Sequence, residues 1–173
     1  DRKYKKDSFY AYKAWLRSPE AAPFVHLCGE RYVDRVEDVT KVTVYSNLPE
    51  VELFANGKSL GKKKNVEGKD RNRIRWNDVK YIPGYLEARA YKDGKVVARH
   101  RIETAGEAKK IVVEADNVNW KADGMDLQHV RVYAVDGKGR RVHSEDTNLK
   151  FSVNGDAKVV AVDNGNIVCY CQE

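Results

Sequence analysis

The segment VELFANGKSLGKKK, residues 51–64, carries the instruction to fold back on itself at Asn56-Gly57. Val51, Leu53 and Ala55 alternate with Glu52 and Phe54, the period of a strand with one buried face. Asn-Gly is the dipeptide that accepts positive φ at both central positions of a type I′ turn. The spacing predicts a β-hairpin. The same pattern returns in LEARAYKDGKVVARHRIETAG, where Leu86, Ala88 and Ala90 alternate with charged residues and Asp93-Gly94 closes the turn before Val96, Ala98 and His100. Two such hairpins demand a sheet, and a sheet needs a second layer to cover its apolar face.

The surrounding sequence supplies that layer. VTKVTVYSN places Val42 and Val44 on one side of a half-buried strand. Residues 73–76 and 79–82 are two further short candidates, and Pro83-Gly84 is a turn dipeptide leading into the second hairpin. This makes about seven strands between Asp38 and Glu103, the density of a β-sandwich. Thr104-Ala105-Gly106-Glu107 is the expected boundary. Beyond it KKIVVEAD sets Ile111 and Val113 on one face, HVRVYAVD (129–136) is the next strand, and residues 119–126 carry turn signals between them. Gly137 to Gly139 turns the chain back through 141–143. Residues 149–153 alternate again, and 159–162 are expected to be a final buried run.

The first segment differs from the rest. Phe9, Tyr12 and Leu16 recur at three and four residues beside Tyr10 and Ala14, Asp7 or Ser8 is placed to cap, and Ser18-Pro19 stops the run, so one short helix is predicted over 7–16. Its aromatic residues (Tyr4, Phe9, Tyr10, Tyr12, Trp15) exceed what a lone helix hides, so it requires a partner surface.

Bulk properties exclude several classes. A chain of 173 residues accommodates two domains of roughly 80 residues each. Charged residues at 34% and apolar ones at 42% suit a folded domain. The formal charge of +6 suggests a nucleic-acid partner, but Lys and Arg alternate with Asp and Glu instead of forming a stripe. The basic clusters at 3–6, 62–64 and 69–75 read as solvated tails and turns, so no nucleic acid is expected. No apolar run reaches the roughly 18 residues of a membrane helix, and no leader pattern opens the chain, whose start reads as the middle of something longer. Cys169 and Cys171, at i and i+2, are expected to be free thiols. Zinc is not expected, because that pair lacks partners and the histidines at 26, 100, 129 and 143 share no ligand spacing with it. No cofactor is implied.

In order and spacing, SFYAYKAWL, PFVHLCGERYVDR, VYSNLPEVELFANGKSLG, the Pro-Gly turn with LEARAYKDGKVVARHRIETAG, and then KADGMDLQHVRVYAVDGKG with VVAVDNGN resemble the C-terminal part of bacterial glycoside hydrolase family 2 enzymes of the β-galactosidase type. The resemblance covers nearly the whole chain. It implies an all-β fold of two tandem Ig-like β-sandwich domains preceded by a short helical remnant of a (β/α)8 barrel. Residues 1–36 would be the last barrel helix and linker, 37–105 the first sandwich, and 106–173 the second, cut short at its C-terminus.

The family's catalytic glutamates sit at barrel strand ends, and no segment here resembles either motif, so no catalytic residue is assigned. Retaining chemistry needs two carboxyls roughly 5 Å apart in a shielded pocket, whereas Glu50 and Glu52 fall on a surface strand. The resemblance therefore implies an accessory region, inactive alone, of an enzyme that hydrolyses terminal β-galactosidic or related bonds. It would pack on the upstream barrel and meet carbohydrate through the parent, with a homo-oligomer compatible and a periplasmic or secreted setting suited to such an enzyme, a cytoplasmic one being the alternative. His26, Arg31 and Tyr32, where the chain leaves the barrel, are candidates for the active-site rim, with packing of the linker as the alternative.

Trp76, Tyr81 and Tyr85 could form an aromatic platform for a sugar ring, against a core role for Trp76; Trp120 in a turn is the more exposed candidate. His100 and His129 read as ordinary sheet residues. Asp123-Gly124 with Asp126, and Asp163 to Asn166, are oxygen-rich turns without the spacing of a calcium loop. Two other functions stay open: a carbohydrate-binding module pair, and an adhesin-like Ig array.

Overall fold

The computed structural model describes residues 5–29 and 39–164. Apart from one helix, α1 (Asp7–Leu16), every regular element is a strand. These are β1 (Val25–Leu27), β2 (Val39–Ser46), β3 (Glu50–Ala55), β4 (Lys58–Lys64), β5 (Arg73–Lys80), β6 (Tyr85–Lys92), β7 (Lys95–Glu103), β8 (Lys110–Ala115), β9 (Val130–Val135) and β10 (Arg141–Val142). The fold is all-β, as the alternation predicts.

Both hairpins close with the turns their dipeptides encode. Asn56 and Gly57 have φ of 47° and 84°, and Asp93 and Gly94 have 51° and 74°, the paired left-handed conformations whose twist matches that of the flanking strands. β3 pairs on its other side with β6, so the hairpins join in one antiparallel sheet of order β4-β3-β6-β7. A second sheet, β1-β2-β5, packs face to face on it. Leu27, Val42, Val44, Ile74 and Trp76 on one side meet Val51, Leu53, Ala88 and Ala90 on the other, with Leu48 between the strands.

Residues 73–76 and 79–82, expected as two strands, are largely one. The β2–β5 ladder steps from Thr40↔Val79 to Val42↔Trp76, so β5 carries one extra residue as a bulge and continues through Asn77-Asp78. Six strands therefore lie between 39 and 103, and β1 completes the sandwich from upstream.

α1 spans the predicted residues, but neither Asp7 nor Ser8 caps it: Lys6 occupies the N-cap with no side-chain hydrogen bond. The Asp7 carboxylate is directed at His26 instead. Buried asparagines bind the end of the helix to the sandwich, Asn72 Nδ2 donating to Ala14 O at 2.9 Å and Asn47 Nδ2 to Arg17 O at 3.1 Å. Ala14 is buried, whereas Phe9, Tyr12, Trp15 and Leu16 are exposed.

After Thr104 a third antiparallel sheet follows, in order β10-β9-β8. Ile111 and Val113 share a face as expected, but that face is open to solvent, and Val135 is the buried apolar residue of this sheet. Residues 149–153 and 159–162 form no strand, and the run expected to be buried is exposed at Val159, Val160 and Val162. Alternation only permits a strand. One forms where backbone N–H and C=O groups find a ladder, and these segments have none among the described residues.

Candidate functional site

The junction of α1 and β1 concentrates the chemistry-bearing side chains. His26 and Cys28 stand at i and i+2 on the same side of the chain, while Leu27 between them points into the core. The first turns of α1 face them. His26 Nε2 lies 3.0 Å from Asp7 Oδ1. The Tyr10 ring stacks on the imidazole, with centroids 3.6 Å apart and planes 9° apart. His26 is 3% exposed. The ring of His100, on β7, lies 4.9 Å away, and its Nδ1 accepts the Leu27 N–H at 3.0 Å.

One ligand atom each of Asp7, His26 and Cys28 lies within 4.8 Å of the other two. Burial, and after it the negative charge of Asp7, pushes the Cys28 thiol up to about 12, so it is a protonated, weakly nucleophilic group at neutral pH. Tyr45, opposite His26 in the β1–β2 ladder, is also raised, by burial first and then by Cys28, with Arg73 opposing.

Sequence reasoning placed His26 at a domain exit but missed this cluster. Its local signal, His-x-Cys on an apolar strand, was in view, but Asp7 joins it only through tertiary packing. Arg31 and Tyr32, proposed with His26, lie outside the described residues, as do Cys169 and Cys171.

The aromatic candidates are not gathered onto one platform. Trp76 is 4% exposed and belongs to the sandwich core, so it offers no face to a sugar. Its indole N–H has no acceptor among the described residues, and the Lys63 ammonium sits 5.2 Å from the ring centroid. Tyr81 and Tyr85 flank the Pro83-Gly84 turn, both half-buried. The Tyr81 hydroxyl lies 3.4 Å from Thr104 Oγ1, and the Arg101 guanidinium covers the Tyr85 ring at 3.6 Å. Trp120 is 41% exposed in the loop between β8 and β9, two strands of the third sheet.

The acidic residues are arranged for pairing. Glu52 accepts hydrogen bonds from Ser59 Oγ at 2.6 Å and Tyr91 OH at 2.7 Å, which hold its carboxyl below the ordinary range. Glu50 lies 3.8 Å from Lys62 Nζ. Asp123 Oδ1 accepts the N–H groups of Met125 and Asp126, and Asp126 accepts that of Lys121, which makes this segment a self-satisfied turn. Glu20, Glu52, Asp70, Asp123 and Asp136 are all shifted downward by hydrogen bonding. A glycosidase proton donor needs the opposite shift.

Comparison with known proteins agrees with this architecture. Residues 111–170 match glycoside hydrolase family 2 C-terminal domain 5, and residues 37–98 match a domain of unknown function, DUF4982. Over 165 residues, 95% of its length, the chain is 34% identical to a β-galactosidase of Bacteroides ovatus, of which it spans 19%. The chain is a C-terminal region of glycoside hydrolase family 2. Among solved structures, this family 2 region is similar to a β-glucuronidase from the same family, with a TM-score of 0.64 and 30% identity over 79% of this chain and 14% of that one. It is also similar to a family 2 member from Bacteroides cellulosilyticus, with a TM-score of 0.54 and 41% identity over 60% and 14%. The chain thus spans about a fifth or less of the relatives described.

Proposed function

We propose that this chain is the non-catalytic accessory region of a glycoside hydrolase that cleaves terminal β-galactosidic or related bonds, and that it buttresses the catalytic barrel through α1. The observation that carries the reading is the two-sidedness of that helix. One side is fixed to the sandwich through Ala14, Asn72, Asn47 and the Asp7–His26 contact. The other presents Phe9, Tyr12, Trp15 and Leu16 at exposures of 43–78%, an apolar surface that a helix does not leave in water without a partner. The relatives named as a β-galactosidase and a β-glucuronidase are five or more times longer than the matched region, which leaves room for the barrel. The division at 104–107, with 1–36 as barrel end and linker, belongs to the same reading.

The carboxylate pattern supports inactivity of the chain alone, since the displaced acids are held ionised by hydrogen bonds from hydroxyl and backbone N–H groups, the opposite of what a proton donor needs. Assay of the chain with chromogenic β-galactosides and β-glucuronides is expected to give no turnover, and turnover at the rate of an intact family 2 enzyme would overturn the proposal. A carbohydrate-binding role resting on Trp76 and Tyr85 is disfavoured, because one ring is in the core and the other is covered by Arg101. Trp120 keeps that alternative measurable: a saturable change of tryptophan fluorescence with galactans would favour binding, and a flat titration the buttress.

A further inference from the structure

The geometry points to a divalent-metal site at Asp7, His26 and Cys28, of the borderline class typified by zinc, clamping α1 to β1. Carboxylate, imidazole and thiolate are the three donor types zinc accepts, and three protein ligands leave a fourth position for water. The Asp7 side chain is 45% exposed, so the site opens to solvent on that side.

The separations fit. Oxygen and nitrogen ligands about 2.0–2.1 Å from a tetrahedral zinc lie roughly 3.3 Å apart, and a sulfur at about 2.3 Å lies roughly 3.6 Å from either. His26 Nε2 and Asp7 Oδ1 are 3.0 Å apart, and all three donor atoms fall within 4.8 Å. Insertion of the ion therefore needs a change of a few tenths of an ångström between nitrogen and oxygen and of up to about 1.2 Å for sulfur. Rotation of the exposed Asp7 side chain can absorb the changes that involve its oxygen, and rotation about χ1 of Cys28 the change between sulfur and nitrogen.

Preorganisation and charge point the same way. Stacking by Tyr10 and the strand backbone hold the His26 ring in place, so ordering it costs little on binding. Binding of the ion displaces the Cys28 thiol proton to solvent on the open Asp7 side, and a neutral imidazole, a carboxylate and the resulting thiolate then balance a dication beside the buried His26. His100 stands behind His26, engaged through Nδ1 with Leu27. The Asp7–His26 hydrogen bond alone accounts for two of the three residues but gives no reason for a cysteine, which packs as a small apolar group, to face a carboxylate.

The test is cobalt titration of the 173-residue chain carrying Cys169→Ser and Cys171→Ser, in a non-chelating reductant. Binding of a single equivalent is expected, with a near-ultraviolet thiolate-to-cobalt band and visible tetrahedral bands, displaced by zinc. Cys28→Ser should abolish the charge-transfer band. Asp7→Asn should weaken binding by at least the roughly tenfold that loss of even an outer-shell partner costs. Absence of the band at one equivalent, or its survival in Cys28→Ser, would overturn the site. Should either variant unfold by circular dichroism, the unsubstituted ligand set decides: one equivalent of zinc is expected to raise the melting temperature, and an unchanged value rejects the proposal.

Discussion

Asp136 shows how much one carboxylate can hold together. It accepts the N–H groups of Gly106 at 2.9 Å, Lys138 at 2.8 Å and Arg140 at 2.9 Å, and pairs with the Arg140 guanidinium, which also reaches Glu103 at 3.0 Å. The Gly106 N–H, together with Arg140 and Lys138, draws its pKa far below the usual carboxylate range. A group depressed in the folded state stabilises fully above its unfolded value near 4 and loses that contribution as pH falls towards the folded value. Asp136→Asn is therefore expected to lower the melting temperature at pH 7, and the gap from the parent chain should narrow below about pH 4. An equal gap at both pH values would refute the linkage.

Gly84 is a second such point. Its φ is 133°, and a Cβ there would meet Asn56 Cγ at 2.7 Å, where the carboxamide accepts the Tyr85 N–H and donates to Pro83 O. Gly84→Ala should cost about 1–3 kcal/mol in urea denaturation, and an unchanged midpoint would contradict the geometry. The Pro-Gly turn was legible in the sequence. The clasp from Asn56 was not, because the residue that makes the first turn also closes the second, 27 positions away.

Among the elements, β3 is central: it pairs with both β4 and β6, and its Val51 and Leu53 have no exposure. Truncating Leu53 removes core contacts from both sheets, so Leu53→Ala should destabilise the chain by about 2–5 kcal/mol in denaturant unfolding. A loss under about 1 kcal/mol would mean that the sheets do not close over it. β3 and the two hairpins were readable because local alternation and turn chemistry agree with the tertiary outcome. The same alternation misled at 149–153 and 159–162, where no ladder forms among the described residues, and at 73–82, where a bulge merges two apparent strands. Periodicity encodes which side chains could face a core. It does not encode which strand lies alongside, and Trp76, readable either as a platform or as an anchor, was decided only when β1-β2-β5 closed on the other sheet.

At the scale of the whole molecule, the +6 charge is dispersed through pairs such as Arg131 with Glu114 and Asp116, and Arg89 with Glu87. One unbalanced feature is the apolar outer side of α1. Its aromatic excess was visible in the sequence, and the fold explains why it persists: the sandwich takes only the side carrying Ala14. Tyr12 and Leu16 are 69% and 78% exposed, so Tyr12→Ser with Leu16→Glu should change the stability of the chain by no more than roughly 0.5 kcal/mol per site. If α1 seats the chain on a catalytic barrel, the same pair should sharply weaken association with the barrel region of its own polypeptide supplied as a separate fragment, measured by sedimentation velocity. Polar groups placed in an apolar interface are left unpaired on docking, which penalises the complex while sparing the free chain. Undiminished association would move the contact elsewhere on the sandwich, and a collapse of the free chain's stability would show that this side of α1 already serves the fold.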